Sequence, residues 1–202
     1  MSKELSAPLS TQGVSSAIPA SRPSAWLRSA GIVLAGSAFV AACAHVALPL
    51  YFTPVPLSLA PFAVLLLGLL LSPRLAAATL GVYLAEGALG LPVFAPTPAV
   101  PGMAHLLGPT GGYLLAYPLA AALIAFMFRR TSRSFAPAFL SAAIGSLVIL
   151  FCGALWLAVL THASAQSVFS LAVLPFLPGD ALKVAAAAAL ADGWVRWRRR
   201  AE

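Results

Sequence analysis

Apolar residues run along this chain in long blocks rather than alternating with polar ones, and Pro, Gly and Arg break the blocks. Stretches free of Asp, Glu, Lys and Arg extend from Ser29 to Pro73, from Gly87 to Phe128 and from Ser134 to Gly179. Each exceeds the roughly 20 residues that one spanning helix needs, so each holds more than one pass. The punctuation divides them into six predicted helices: about Trp26 to Leu48, Leu57 to Leu71, Leu75 to Leu89, Gly112 to Phe128, Ala136 to Leu160 and Leu171 to Trp194. The second and third reach only roughly 22 Å at about 1.5 Å per residue. Such short helices need a thinned bilayer, ends buried in protein or a partly re-entrant path, and that irregularity points to a cavity. Four passes with two re-entrant segments is the alternative.

The pattern therefore predicts an all-α polytopic membrane protein, a compact bundle of six transmembrane helices over residues 26–195. Residues 1–25 are rich in Ser, Ala and Pro and read as a disordered cytoplasmic tail rather than a cleaved signal peptide; residues 196–202 form a basic cytoplasmic tail. Composition agrees. A chain that is 61% hydrophobic and only 8% charged has too little polar surface for a soluble globule.

A formal charge of +7 invites a nucleic-acid reading. The basic residues instead sort by topology. Lys3, Arg22 and Arg28 precede the first helix, Arg74 joins the second to the third, Arg129, Arg130 and Arg133 join the fourth to the fifth, and Arg196, Arg198, Arg199 and Arg200 close the chain. The intervening loops, about Pro49 to Pro56, Gly90 to Gly111 and Thr161 to Ser170, carry neither Lys nor Arg. Positive residues favour the cytoplasmic side, so both termini are expected there. Trp26, Trp194 and Trp197 fall where an interfacial aromatic belt is expected on that side. No clear internal repeat marks a complete alternating-access carrier.

Glu86, Asp180 and Lys183 are the ionisable residues deep inside predicted spans. A charge at the bilayer centre costs roughly 2.5–3.5 kcal/mol on insertion scales, so such residues face a bundle interior and bind something. Asp180 and Lys183 are three apart on one helical face, in the outer half of the bilayer. A purely structural ion pair is the competing explanation, but apolar packing stabilises as well or better. Pro178 and Gly179 suggest a broken helix start whose free N–H groups aim into a cavity. Glu86 reads either as a ligand acceptor or as a protonated or backbone-paired carboxyl. Asp192, near Arg196, reads as a paired interfacial carboxylate.

The segment Gly108-Pro109-Thr110-Gly111-Gly112-Tyr113 opens the fourth helix, with Thr110 as a plausible N-cap and Gly111 and Gly112 permitting close backbone approach. A tight turn entering a helix explains it equally well, and the absence of a following Gly-Lys-Ser/Thr excludes a P-loop. Tyr113, Tyr83 and Phe94 are candidate pocket walls. Gly31, Ala35, Ala38 and Ala42 form a small-residue stripe on the first helix, either internal packing or a docking face for another membrane subunit. Cys43 and Cys152 read as small buried apolar residues. His45, His105 and His162 lie far apart and give no metal motif, and neither H-E-x-x-H nor G-x-S-x-G occurs.

Taken together, Thr53-Pro54-Val55-Pro56, Gly90-Leu91-Pro92-Val93-Phe94, Leu107-Gly108-Pro109-Thr110-Gly111-Gly112-Tyr113 and Leu177-Pro178-Gly179-Asp180-Ala181-Leu182-Lys183 resemble the BioY family, the biotin-specific substrate-binding (S) components of energy-coupling factor transporters. Where the family often continues Thr-Leu-Gln, this chain has Ser58-Leu59-Ala60, and Pro96 and Pro98 replace glycines after Phe94, which alters the lid. The resemblance implies capture of biotin from outside, with Asp180, Lys183, Glu86, Thr110, Gly111, Gly112, Tyr113, Tyr83 and Thr53 as the substrate-binding set. It also implies association with a membrane coupling subunit and ABC-type ATPase subunits. Biotin enters as transported substrate, and no cofactor, metal or nucleic acid is expected. An S component for another small vitamin is the nearest alternative, and an intramembrane enzyme using Glu86, Asp180 or a histidine is one from a different class.

Overall fold

A computed structural model describes residues 25–96 and 102–201. Apart from Ala25, the N-terminal tail lies outside the described residues, as does Pro98. Six long helices form the bundle: α1 (Ala25–His45), α2 (Ala60–Leu70), α3 (Pro73–Ala88), α5 (Gly111–Arg129), α6 (Phe135–Thr161) and α8 (Leu177–Ala201). Two short ones, α4 (Met103–Leu106) and α7 (Ala165–Ala172), lie in the connections on one end. By length and apolarity α1, α5 and α6 each suffice to cross a membrane, and α7 with α8 makes a broken span bent by 51°. Their outer faces carry exposed Leu34, Leu119, Leu147, Phe151 and Leu182, as a surface solvated by lipid does.

Each chain reversal has a local cause. Ser72 caps α3, its side chain accepting from the Leu75 N–H with Pro73 at the first turn. At the other end of α3, Gly90 takes φ +92°, which only glycine holds without strain. Its N–H donates to the Gly87 carbonyl at 3.0 Å while the Leu91 N–H reaches back to Glu86 at 3.1 Å, closing the last turn before Pro92 prevents continuation. Gly90-Leu91-Pro92 is thus a helix stop that turns Phe94 back over Gly87, a position where any Cβ would strike the Phe94 ring.

The structure differs from the predicted boundaries at five places, two of them simple: the first helix stops at His45 rather than Leu48, and the last starts at Leu177 rather than Leu171. The second helix begins at Ala60 rather than Leu57, because Leu57–Ser58 (β2) pairs antiparallel with Ala47–Leu48 (β1), Ala47 opposite Ser58. Pro54 and Pro56 have no N–H to continue a helix, and the extended backbone they favour suits a two-stranded hairpin. The expected loop Thr161–Ser170 contains α7, capped by Ser164, whose side chain accepts from the Ser167 N–H. The last helix runs past Trp194 to Ala201, since Arg is a good helix former and favours a C-terminal turn.

At 11 residues α2 rises only about 16 Å, roughly half the hydrocarbon thickness. The hairpin occupies the missing length, and the space beside it becomes a cavity. The remainder packs tightly through small residues. Ala138 and Ala142 of α6 meet Ala187, Ala188 and Ala191 of α8, with Ile124 and Phe128 of α5 alongside. A Cβ at Gly68 would come 2.9 Å from Ile124 Cβ, so that glycine sets the approach of α2 to α5. α1 packs against α2 and α3 at the edge of the bundle, burying Gly36, Ser37, Val40, Cys43 and Ala44. Its opposite face, including Gly31, Ala35, Ala38 and Ala42, is exposed.

Candidate functional site: a cavity at the arginine-free end

The helices alternate in direction, so the chain's polar groups separate into two ends. Trp156 of α6 donates to the Gly108 carbonyl before α5, and Arg199 of α8 donates to the Ser132 carbonyl between α5 and α6, fixing opposite ends of the bundle. The cavity opens at the first end. It is a narrow, partly open hollow lined by residues of the hairpin and of α1, α2, α3, α5, α6 and α8. The hairpin supplies Pro56 and Ser58, and the start of α2 supplies Ala60 and Pro61.

Asp180 and Lys183 stand in the first two turns of α8, 7% and 8% exposed. Lys183 Nζ donates to Asp180 Oδ1 at 2.9 Å, and Ser146 Oγ of α6 donates to Asp180 Oδ2 at 3.1 Å. Both carboxylate oxygens are engaged, so the aspartate is rigid. The α8 N-terminus adds favourable positive potential. The predicted helix break is present, with turns preceding Leu177, but the Asp180 N–H is not free: it donates to the Phe176 carbonyl at 2.8 Å. An ammonium carries three donors and Asp180 takes one, which leaves donor capacity on a side chain that lines the cavity.

Aromatic rings also line the cavity. Tyr83 of α3 meets Phe94 edge-on, with centroids 5.4 Å apart, and stacks on Tyr117 of α5 at 6.4 Å. Phe94 in turn lies 5.0 Å from the His105 ring of α4. Burial lowers the His105 pKa below its ordinary value, so the imidazole meets the cavity neutral at pH 7. Tyr113 is pinned by its hydroxyl to the Ala172 carbonyl at 2.7 Å, tying α5 to the end of α7. Tyr83 differs. Its ring stands among the residues around the cavity, and its hydroxyl is fully buried with no hydrogen-bond partner among the described residues. Such an atom costs about 1–3 kcal/mol unless something in the cavity pairs with it.

Five predicted site residues therefore converge on this cavity: Asp180, Lys183, Thr110, Tyr113 and Tyr83. Thr110 occupies the N-cap position of α5 without a side-chain capping bond. The other four stand elsewhere. Gly111 and Gly112 serve packing: a Cβ on Gly111 would strike the Leu106 carbonyl, and one on Gly112 would lie 2.7 Å from the Cys152 carbonyl and collide with Trp156. Thr53 accepts from the Val55 N–H within its own turn. Glu86 accepts a hydrogen bond from Ser37 of α1, between α1 and α3 and away from the cavity lining.

Ser146 and Tyr117 are site residues that the sequence does not single out, and His105, one of three dispersed histidines there, lines the cavity. Tyr117 was legible, four residues after Tyr113 on one helical face. Ser146 was not, since a lone serine in an apolar helix gives no sign of the helix it faces. Asp192 pairs with Arg196 at 2.8 Å, as its position near the end of the span suggested.

Comparison with known proteins gives this geometry a context. The BioY family model matches residues 12–200. This chain belongs to the BioY family. A probable biotin transporter BioY of Pyrococcus horikoshii is 42% identical over 139 residues, covering 69% of this chain and 80% of the relative. The biotin transporter BioY2 of Lactococcus lactis subsp. cremoris is 32% identical over 157 residues, covering 78% of this chain and 84% of its own length. A crystal structure of the S component for biotin from an ECF-type ABC transporter matches with a TM-score of 0.78 at 26% identity, covering 88% of this chain and 95% of that one. The BioY segments quoted from the sequence meet at one end of the bundle. The helix stop at Gly90, the α5 entry at Thr110 and the α8 start at Asp180 all border the cavity or its aromatic wall.

Proposed function

We propose that this BioY protein captures biotin in the cavity at its arginine-free end, as the substrate-binding component of an energy-coupling factor transporter. One observation carries the reading most: a buried Asp180–Lys183 pair braced by Ser146 lines a cavity walled by the rings of Tyr83, Tyr113 and Tyr117. Biotin matches this chemistry, with a carboxylate for the Lys183 ammonium and a neutral ureido ring that donates and accepts hydrogen bonds. The rings of Tyr83, Tyr117 and Phe176 supply apolar surface for the rest. The transporter names of the relatives set aside an intramembrane enzyme.

In this reading the arginine-rich end faces the cytoplasm and the cavity faces outward. A membrane coupling subunit with ABC-type ATPases docks on the exposed α1 stripe of Gly31, Ala35, Ala38 and Ala42, where the absence of side-chain bulk permits close helix approach. Equilibrium binding of radiolabelled biotin to the purified protein, competed with riboflavin and thiamine, tests the ligand. Displacement only by unlabelled biotin is expected, and displacement by another vitamin at equal concentration would reassign the substrate. Cysteines introduced at His162 and Ser132, after replacement of Cys43 and Cys152, test the orientation. An impermeant thiol reagent is expected to label the first and spare the second in intact cells.

A further inference from the structure

The opposite end of the bundle holds a second concavity, between the C-terminal ends of α2, α5 and α8. Its rim carries Arg129, Arg133, Arg198 and Arg199, and its inner wall includes Phe128 and Trp194. Six of the arginines at this end fall into two sets, and Arg28, Arg74 and Arg200 belong to neither. Arg130 lies over the Phe126 ring at 3.8 Å and Arg196 pairs with Asp192, so both are engaged elsewhere. The four on the rim have no carboxylate within ion-pair distance among the described residues. Two further details hold them together. Arg199 is tied to the Ser132 carbonyl, and Arg133 adopts φ +53°, a left-handed conformation that a non-glycine residue rarely holds.

We propose that this cup binds the phosphate group of an anionic phospholipid. Four guanidinium groups around one hollow match a phosphate in charge and in donor geometry. The location selects a lipid over a dissolved anion. Exposed Trp194 and Trp197 mark the membrane interface at this level, and the apolar wall of Phe128, Leu69 and Leu70 offers a surface on which an acyl chain can lie. Topology alone would explain arginines at this end, and helix C-termini favour them as well. Neither explains four uncompensated charges around a single apolar-walled hollow.

Native mass spectrometry of the delipidated protein, titrated with phosphatidylglycerol, phosphatidylcholine or inorganic phosphate, tests the site. Phosphatidylglycerol is expected to bind at least about fivefold tighter than phosphatidylcholine. The double variant Arg129→Gln/Arg198→Gln is expected to lose about 25-fold of that affinity, roughly fivefold per arginine. The double variant Arg130→Gln/Arg196→Gln removes equal charge from the same end and is expected to lose less than about twofold. Capture of biotin at the far end, unchanged in every variant, reports that the bundle is folded; if a double variant aggregates, its two single substitutions carry the comparison. Equal binding of both lipids, equal losses in the two double variants, or displacement of phosphatidylglycerol by inorganic phosphate at similar concentration each overturns the proposal.

Discussion

The two ends of this bundle are built from the same few residue types and behave oppositely. At the cavity end the Asp, Glu, Lys and Arg side chains among the described residues are Asp180 and Lys183, buried and paired with each other, and Glu86, which accepts from Ser37. Helices there are short, capped or broken, and the gaps are filled by a hairpin, by α4 and by the bend before α8. At the arginine end the charges are numerous and exposed, while the helices behind them close on alanine and glycine with little space between. Charge count therefore marks which way the protein sits, and buried charge marks where it binds. A helix that falls short leaves room for a ligand inside the bundle; helices that meet through small side chains leave space only at their outer ends, where the arginine cup opens.

The largest expected effect breaks the buried pair. Asp180→Ala strands the Lys183 ammonium and frees Ser146, and Lys183→Ala strands the carboxylate, at about 3–5 kcal/mol if the site is dry. Biotin affinity should fall more than about a hundredfold in either variant, read by radioligand binding on monodisperse protein. Parent-like affinity would make the pair structural and move the search to Tyr83 and Tyr113.

Packing beside the cavity is tested by Gly112→Ala, whose methyl collides with Trp156 and the Cys152 carbonyl. A loss of about 1–3 kcal/mol is expected in thermal unfolding in detergent. Gly31→Ala is the contrast, since its Cβ meets nothing within 4 Å, and it should unfold as the parent does. Lost affinity without lost stability in Gly112→Ala would return that glycine to the ligand.

On the exposed face of α1, Ala38→Leu with Ala42→Leu should preserve biotin binding and weaken co-purification with the coupling subunit by about tenfold. Undiminished co-purification would leave that stripe facing lipid. Tyr83→Phe should weaken biotin by roughly fivefold, about 1 kcal/mol, while the ligand-free protein stays as stable or gains, because the deleted hydroxyl has no partner to lose. The reverse outcome, unchanged affinity with lost stability, would assign Tyr83 to the core. Smallest of all, Glu86→Gln should leave affinity within about twofold, since its carboxylate accepts from Ser37 away from the cavity. A large loss there would place Glu86 back among the ligand contacts.

Much of this was legible in the sequence because membrane insertion is read from local composition. Apolar run length decided that the chain spans, the arginines decided which ends group together, and the isolated charges at Asp180 and Lys183 stood out because lipid penalises each one separately. Even the family motifs are local devices, a helix stop at Gly90 and a helix start at Leu177. What required the tertiary structure was every question of facing. An acid inside a span has to be satisfied, but whether by ligand or by neighbour depends on the helix opposite, and Ser37 decides it for Glu86 as Ser146 does for Asp180. Glycine permits close approach without stating what approaches; at Gly111 and Gly112 it is the Leu106 carbonyl and Trp156. The Pro54 and Pro56 turn became a hairpin through pairing with residues 47–48, a contact that no periodicity within either segment encodes. Insertion energies sum residue by residue along the chain, whereas a binding site is made by side chains from several helices whose relative rotation is fixed only when they pack.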